Sequence, residues 1–354
     1  MVSDSVLNLF MQRTQGALGK SESRSRICGI GRATIVLLMR RLIALPALLF
    51  LAAGAFAQTA AVSRPRILGI DHVSFYTTAP DGVQKLYGVV LGLADAPAIE
   101  PGGTVRYMVG VQWVGYGAAP DPKVTDRLDH VAFTTDNIVE LQHYLTANGV
   151  KVSGVQGWSD HSLSFSIVDP EGHRVEFVER PSVEHAASEH AAVENAKADA
   201  AAPASTSAVS RRMIHAGFLV HNRDAEDHFY RELLGFRPYW HGGMQEDKTD
   251  WVAMQVPDGT DWLEYMLNQP EHPDLHVSGI MNHISLGVAD MPKAQATLES
   301  HGWKPHDGEK AQMGRDGKRQ LNVFDPDQTR IELMEFKPAQ KPCCSDFTAP
   351  HPSE

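Results

Sequence analysis

Cysteine is nearly absent from this 354-residue sequence: Cys28 stands alone, and Cys343 and Cys344 are adjacent near the C-terminus. That excludes a disulfide-built scaffold and a Cys-rich metal site. Basic charge is short as well, with 32 Lys and Arg against 43 Asp and Glu, a net charge of −11. Such a surface repels nucleic acid and anionic lipid, so neither is expected as a partner. An apolar fraction of 43% with 21% charged residues excludes disorder throughout.

One apolar run invites a membrane test. After Met39, Arg40 and Arg41 lead into "LIALPALLFLAAGAFA", which ends in an A-x-A pattern at Ala55 and Ala57. A basic start, an apolar stretch too short for a comfortable span and a small-residue cleavage site describe a secretory signal. Residues 1–57 are therefore expected to be an N-terminal extension and signal peptide, the signal covering about 39–57, with Met39 an alternative start to Met1. Cleavage near Ala57 would leave an exported protein, periplasmic or secreted, with no membrane attachment. Residues 1–57 carry seven Lys or Arg and two Asp or Glu, so the remaining chain holds 25 basic and 41 acidic residues, a charge of −16.

Beyond the leader the chain is repetitive. An Ala-rich linker, 182–210, divides it into halves spanning 66–181 and 211–337, and a Pro-containing tail, 338–354, reads as disordered. Four segments open with a short strand carrying an early histidine: "IDHVSFY", "LDHVAFT", "MIHAGFLV" and "MNHISLGV". Each precedes an amphipathic helix with a Gly stop signal. The second and fourth segments close alike, on Asp169-Pro170-Glu171-Gly172-His173-Arg174-Val175-Glu176-Phe177-Val178-Glu179 and Asp325-Pro326-Asp327-Gln328-Thr329-Arg330-Ile331-Glu332-Leu333-Met334-Glu335, 156 residues apart. This is an internal duplication of a strand, helix, three-strand unit.

On these motifs the chain resembles the vicinal oxygen chelate superfamily, which includes glyoxalase I, extradiol dioxygenases and bleomycin-resistance proteins. The resemblance implies an α+β fold: four βαβββ modules in two paired domains, each with curved mixed sheets around a cavity that holds a divalent metal.

Strand alternation selects the inward residues independently. His72 and His283 fall on the less apolar faces of their strands, and Glu332 opposes Ile331 and Leu333. In "DWLEYML", Glu264 shares a face with Trp262 and Met266. The second half thus offers His215, Glu264, His283 and Glu332, separated by 49, 19 and 49 residues, as ligands for one divalent metal, Zn, Ni, Fe or Mn. The first half offers His72, His130 and Glu176, but "QWVGYGA" sets Gly115 where Glu264 stands, which marks this as a secondary or vestigial site. His221, Trp262, Met266 and Arg330 are candidates for the substrate pocket, and Arg174 for an ion pair.

The resemblance implies three activities. A glyoxalase-type lyase or isomerase would use Glu332 as base with Glu264 across the metal. An extradiol dioxygenase would use His215, His283 and Glu332, although Asn322 stands where that family's Tyr belongs and Gln328 replaces its Gly. A resistance-type binder would sequester a small molecule without catalysis. The first is favoured because the ligand quartet is intact. Export argues for a small-molecule substrate other than the cytosolic one, and four modules in one chain favour a monomer.

Overall fold

The computed structural model describes residues 63–99, 102–181, 207–305 and 310–354. The expected leader, 1–57, and positions 182–206 of the expected linker lie outside them.

The first half contains two strand, helix, three-strand runs. β1 (Ile67–Thr77), β2 (Asp95–Pro97), β3 (Gly103–Val109) and β4 (Gln112–Ala118) form one; β5 (Leu128–Thr135), β6 (Gln156–Gly157), β7 (Leu163–Val168) and β8 (Arg174–Glu179) form the other. They join into one eight-stranded sheet of order β2-β3-β4-β1-β5-β8-β7-β6. The second half repeats this with β9 (Met213–Leu219), β10 (Arg237–Gly242), β11 (Trp251–Gln255), β12 (Trp262–Met266), β13 (His283–Val288), β14 (Gln312–Met313), β15 (Arg319–Phe324) and β16 (Arg330–Glu335), in the order β10-β11-β12-β9-β13-β16-β15-β14. In both sheets the first and fourth strands of a run pair in parallel, and the two runs meet antiparallel. The architecture is the expected α+β arrangement of two curved mixed sheets.

Alternation predicts one apolar and one polar face per strand, yet β1 and β13 are buried on both. Val73 and Phe75 pack against helices, while His72 and Ser74 are covered by the sheet's own curvature. The repeated terminal motif also acquires its structural roles. Its last carboxylate, Glu179 or Glu335, accepts the first backbone N–H of a helix in the same module, Ile138 N at 2.7 Å and Met291 N at 3.1 Å. This neutralises the helix N-terminus. Its first carboxylates, Asp169 and Asp325, accept tyrosine hydroxyls from the opposite half: Tyr230 at 3.2 Å and Tyr116 at 2.9 Å. Its third position, Glu171 or Asp327, binds the chain just after the opposite half's first strand, at His221 and Asn222 or at Thr77 and Thr78. One motif therefore closes a module and docks one half on the other.

The tail corrects an expectation. Residues 338–354 are docked, not disordered: Phe347 packs on Tyr239 at 4.8 Å, Gln255 donates to Pro350 O at 2.9 Å, and Trp240 donates to Cys343 O at 3.2 Å. Cys343 and Cys344 are joined to each other by a disulfide.

Gln112 is a buried bridge between the halves, donating to Ile70 O and Met213 O and accepting from Met213 N at 2.7 Å. Gln112→Leu strands these backbone groups, so urea unfolding is expected to show a loss of about 1–3 kcal/mol; an unchanged midpoint would remove Gln112 from the docking argument.

Candidate metal centres

In the first half, β1, β5 and β8 deliver His72, His130 and Glu176 to one point. The two Nε2 atoms are 2.9 Å apart, and Glu176 Oε2 is 3.2 Å from His130 Nε2 and 3.6 Å from His72 Nε2. None is more than 1% exposed. The far ring nitrogens are held by carboxylates, His72 Nδ1 by Asp71 at 2.8 Å and His130 Nδ1 by Asp129 at 3.1 Å. Each Asp is the extra residue at a register shift between β1 and β5, which explains how it meets the side chain of its own neighbour. Arg180 grips Asp71 at 2.7 and 2.9 Å. Burial works to raise the Asp71 pKa, but Arg180 and His72 outweigh it and hold the carboxyl at about 2.

This arrangement fits a cation. Rings that donate through Nδ1 aim their Nε2 lone pairs at each other and at Glu176, so a proton or a metal ion must sit among them. Accordingly the two imidazoles overrule burial and hold Glu176 well below the carboxylate range. The centre is sealed: the Trp113 indole stacks on His72 at 3.8 Å, and Trp158 lies 5.6 Å from the same ring.

The second half differs. His215, Glu264 and His283 bring one ligand atom each within 4.8 Å of one another. The two Nε2 atoms are 3.0 Å apart, and Glu264 Oε2 lies 3.7 and 3.5 Å from them. Glu332 Oε2 reaches His215 Nε2 at 3.3 Å. All four residues are thus neighbours, but Arg330 intrudes, its Nη2 donating to His283 Nε2 at 2.8 Å and its Nη1 lying 3.8 Å from Glu332. Gly217 faces this site for a steric reason, since a Cβ there would collide with the His283 ring.

Electrostatics diverge accordingly. Ile214 and Asn282 precede these histidines where Asp71 and Asp129 stand in the first half. His283 Nδ1 is bound only by Met281 O, at 2.8 Å, and His215 Nδ1 makes no hydrogen bond. Burial, reinforced by Arg330, pushes His283 down to about 3, and His215 also falls well below its usual value. Both rings are neutral, the state a metal requires. Burial raises Glu264 to about 7 against the pull of Arg330 and Lys318, and raises Glu332 as well.

This centre is open. Glu264, Glu332 and Arg330 line a cleft of about 110 Å³ walled by Tyr239, Trp240, Trp251, Trp262 and Met266, with Phe347 of the tail also in its lining. Trp262, Met266 and Arg330 are all in this lining. His221 is not: it is half-exposed and bonded to Glu171 and Pro270, away from the cleft lining. Arg174 pairs with Asp129 at 3.3 Å. Sequence reasoning missed Asp71 and Asp129, although "DH" occurs in both first-half strands, and it missed Lys318, whose buried amine lies 4.4 Å over the Trp262 ring.

Fold and site define a class: paired strand-helix modules carrying His and Glu sets on the concave faces of their sheets. Residues 212–333 match the Glyoxalase/Bleomycin resistance protein/Dioxygenase superfamily. No curated protein matches the chain. Among solved structures it is similar to a variant of homoprotocatechuate 2,3-dioxygenase from Brevibacterium fuscum, with 17% identity and a TM-score of 0.54 over 80% of this chain and 75% of that one. It is also similar to the 2,3-dioxygenase LapB from Pseudomonas sp. KL28, with 15% identity and a TM-score of 0.55 over 82% of this chain and 96% of the other. At these identities the likeness is one of fold.

The carboxylate behind His130 has a measurable consequence. Asp129→Asn is expected to weaken divalent-ion binding at the first-half centre by about 10- to 100-fold in chelator competition; unchanged affinity would mean that no ion is held by His130.

Proposed function

We propose that the chain is a metal-dependent enzyme of the glyoxalase type, a lyase or isomerase, acting in the second-half cleft on a small oxygenated molecule. The observation that carries this reading is the contrast between the centres. Glu264 and Glu332, next to the buried His215 and His283, line an open cleft, whereas His72, His130 and Glu176 are sealed by indoles. Catalytic metal sites keep an open position and structural ones are closed. When bound, a divalent ion (Zn, Ni, Fe or Mn) supplies Lewis-acid polarisation of a substrate oxygen.

The chain's own residues do the rest. Glu332 takes the substrate proton, Glu264, whose pKa burial raises to about 7, gives a proton of its own from the other side, and exchange with solvent returns both carboxyls to their starting states. Arg330 swings off His283 and, with Arg315 at the cleft wall, binds an acidic substrate group. The tryptophans take the apolar body of the same molecule. The leader sequence supports export, and four modules in one chain support a monomer.

A second reading is an extradiol-type dioxygenase. His215, His283 and Glu332 favour it, since two histidines and one carboxylate with open positions are the ligand type of non-haem Fe(II) oxygenases, and Glu332 lines the open cleft.

One experiment separates the two. Protein loaded with each metal is assayed with thiol hemithioacetals of 2-oxoaldehydes, and with catechols in an oxygen electrode. Glu332→Gln is expected to cut hemithioacetal turnover by roughly 10²- to 10⁴-fold with Glu176→Gln near wild type. Oxygen uptake with catechols that Glu332→Gln abolishes, with no hemithioacetal turnover in the wild type, would establish the second reading instead.

A further inference from the structure

Where the halves meet, a third group of ligand-type side chains lies apart from both histidine pairs. Asp169 and His173 come from the turn between β7 and β8, and Glu226 ends the short helix Arg223–Glu226. One atom from each lies within 4.8 Å of the others. We propose that Asp169, His173 and Glu226 form a divalent-metal site that ties the first half of the chain to the second.

The internal duplication supplies the control. The turn at Asp169 and the turn at Asp325 are built alike: each aspartate accepts the backbone N–H four residues on at 2.8 Å, from His173 or from Thr329. Each also receives a tyrosine hydroxyl from the other half. The turn therefore needs neither an imidazole nor a further acid. The second turn carries Thr329 in place of His173, and Val83, four residues before Tyr87 as Glu226 is before Tyr230, stands in place of Glu226, although the hydroxyl that reaches Asp325 comes from Tyr116. The ligand-type residues have gathered on one side only.

Glu226 is the independent sign. It is 0% exposed, and neither carboxylate oxygen has a hydrogen-bond partner. Leaving a buried carboxyl unpartnered costs several kcal/mol, on the order of the penalty for any uncompensated polar group. Among the described residues, no lysine or arginine forms a salt bridge with Glu226, Asp169 or Glu171. A divalent ion held at Glu226 supplies the partner that its carboxylate lacks.

The remaining geometry suits entry and capture. His173 stacks on Phe218 at 4.1 Å, which fixes its ring, and its side chain is 15% exposed, which leaves a route from solvent. One nitrogen and two carboxylate oxygens suit Zn²⁺ or Mn²⁺, and side-chain rotation brings the donors to bonds of about 2.0–2.2 Å.

The test uses the full chain, stripped of metal by chelation and titrated with Zn²⁺ and with Mn²⁺ by calorimetry, with thermal unfolding read alongside. His173→Thr copies the residue of the equivalent turn and is expected to keep the fold; Glu226→Gln removes the acid at constant shape. Each is expected to remove one bound ion per chain or to weaken that step by about tenfold or more, and to shrink the metal-dependent rise in Tm. Glu176→Gln and Glu332→Gln are expected to leave this step in place. Wild-type stoichiometry and affinity in both His173→Thr and Glu226→Gln would overturn the proposal, as would a wild-type chain that binds no ion beyond those lost in Glu176→Gln and Glu332→Gln.

Discussion

Everything in this fold answers to one constraint: imidazoles and carboxylates are held against one another inside a curved sheet, where water cannot separate their charges. His72, His130, His215 and His283 are all 0% exposed. At such burial an unpaired charge is not tolerated, so each group must find a hydrogen bond, an opposite charge or a neutral state. The first half meets the requirement with Asp71 and Asp129 behind its rings. The second half meets it by leaving both rings neutral and setting Arg330 and Lys318 against Glu264 and Glu332.

The same backbone thus supports two electrostatic solutions, and their difference is written in the residue before each histidine. In the first half a strand bulge presents that residue to the ring. Asp at the bulge makes a preorganised acceptor, while Ile214 and Asn282 do not. Nor is the concave space shared equally: Trp113 and Trp158 fill it in one half, and in the other it remains a cleft with acid and base groups on its floor. The two halves provide like scaffolds, and side-chain volume decided which one keeps an open cleft.

Much of this is legible in the sequence. Strand alternation places Glu264, Glu332 and both histidine pairs on inward faces, because a two-residue period in a sheet leaves few alternatives. The repeat of the terminal motif announces the pairing of modules. Other features are not legible. Glu179 and Glu335 cap helices distant in sequence, Glu171 and Asp327 bind the opposite half, and the tail folds back over Tyr239. Each depends on long-range contact, and periodicity carries no information about what lies across a gap.

The sequence by itself therefore determined the repeated strand pattern and the side chains that face inward, since those follow from local alternation and from a repeated terminal motif. Only the tertiary structure decided which centre is sealed and which is open, that Arg330 contacts His283, and that Asp169, His173 and Glu226 meet at the junction of the halves. The physical reason is the same throughout: a strand's pleat sets the direction of a side chain, but its partners, its charge state and its access to solvent are set by whatever the rest of the chain packs against it.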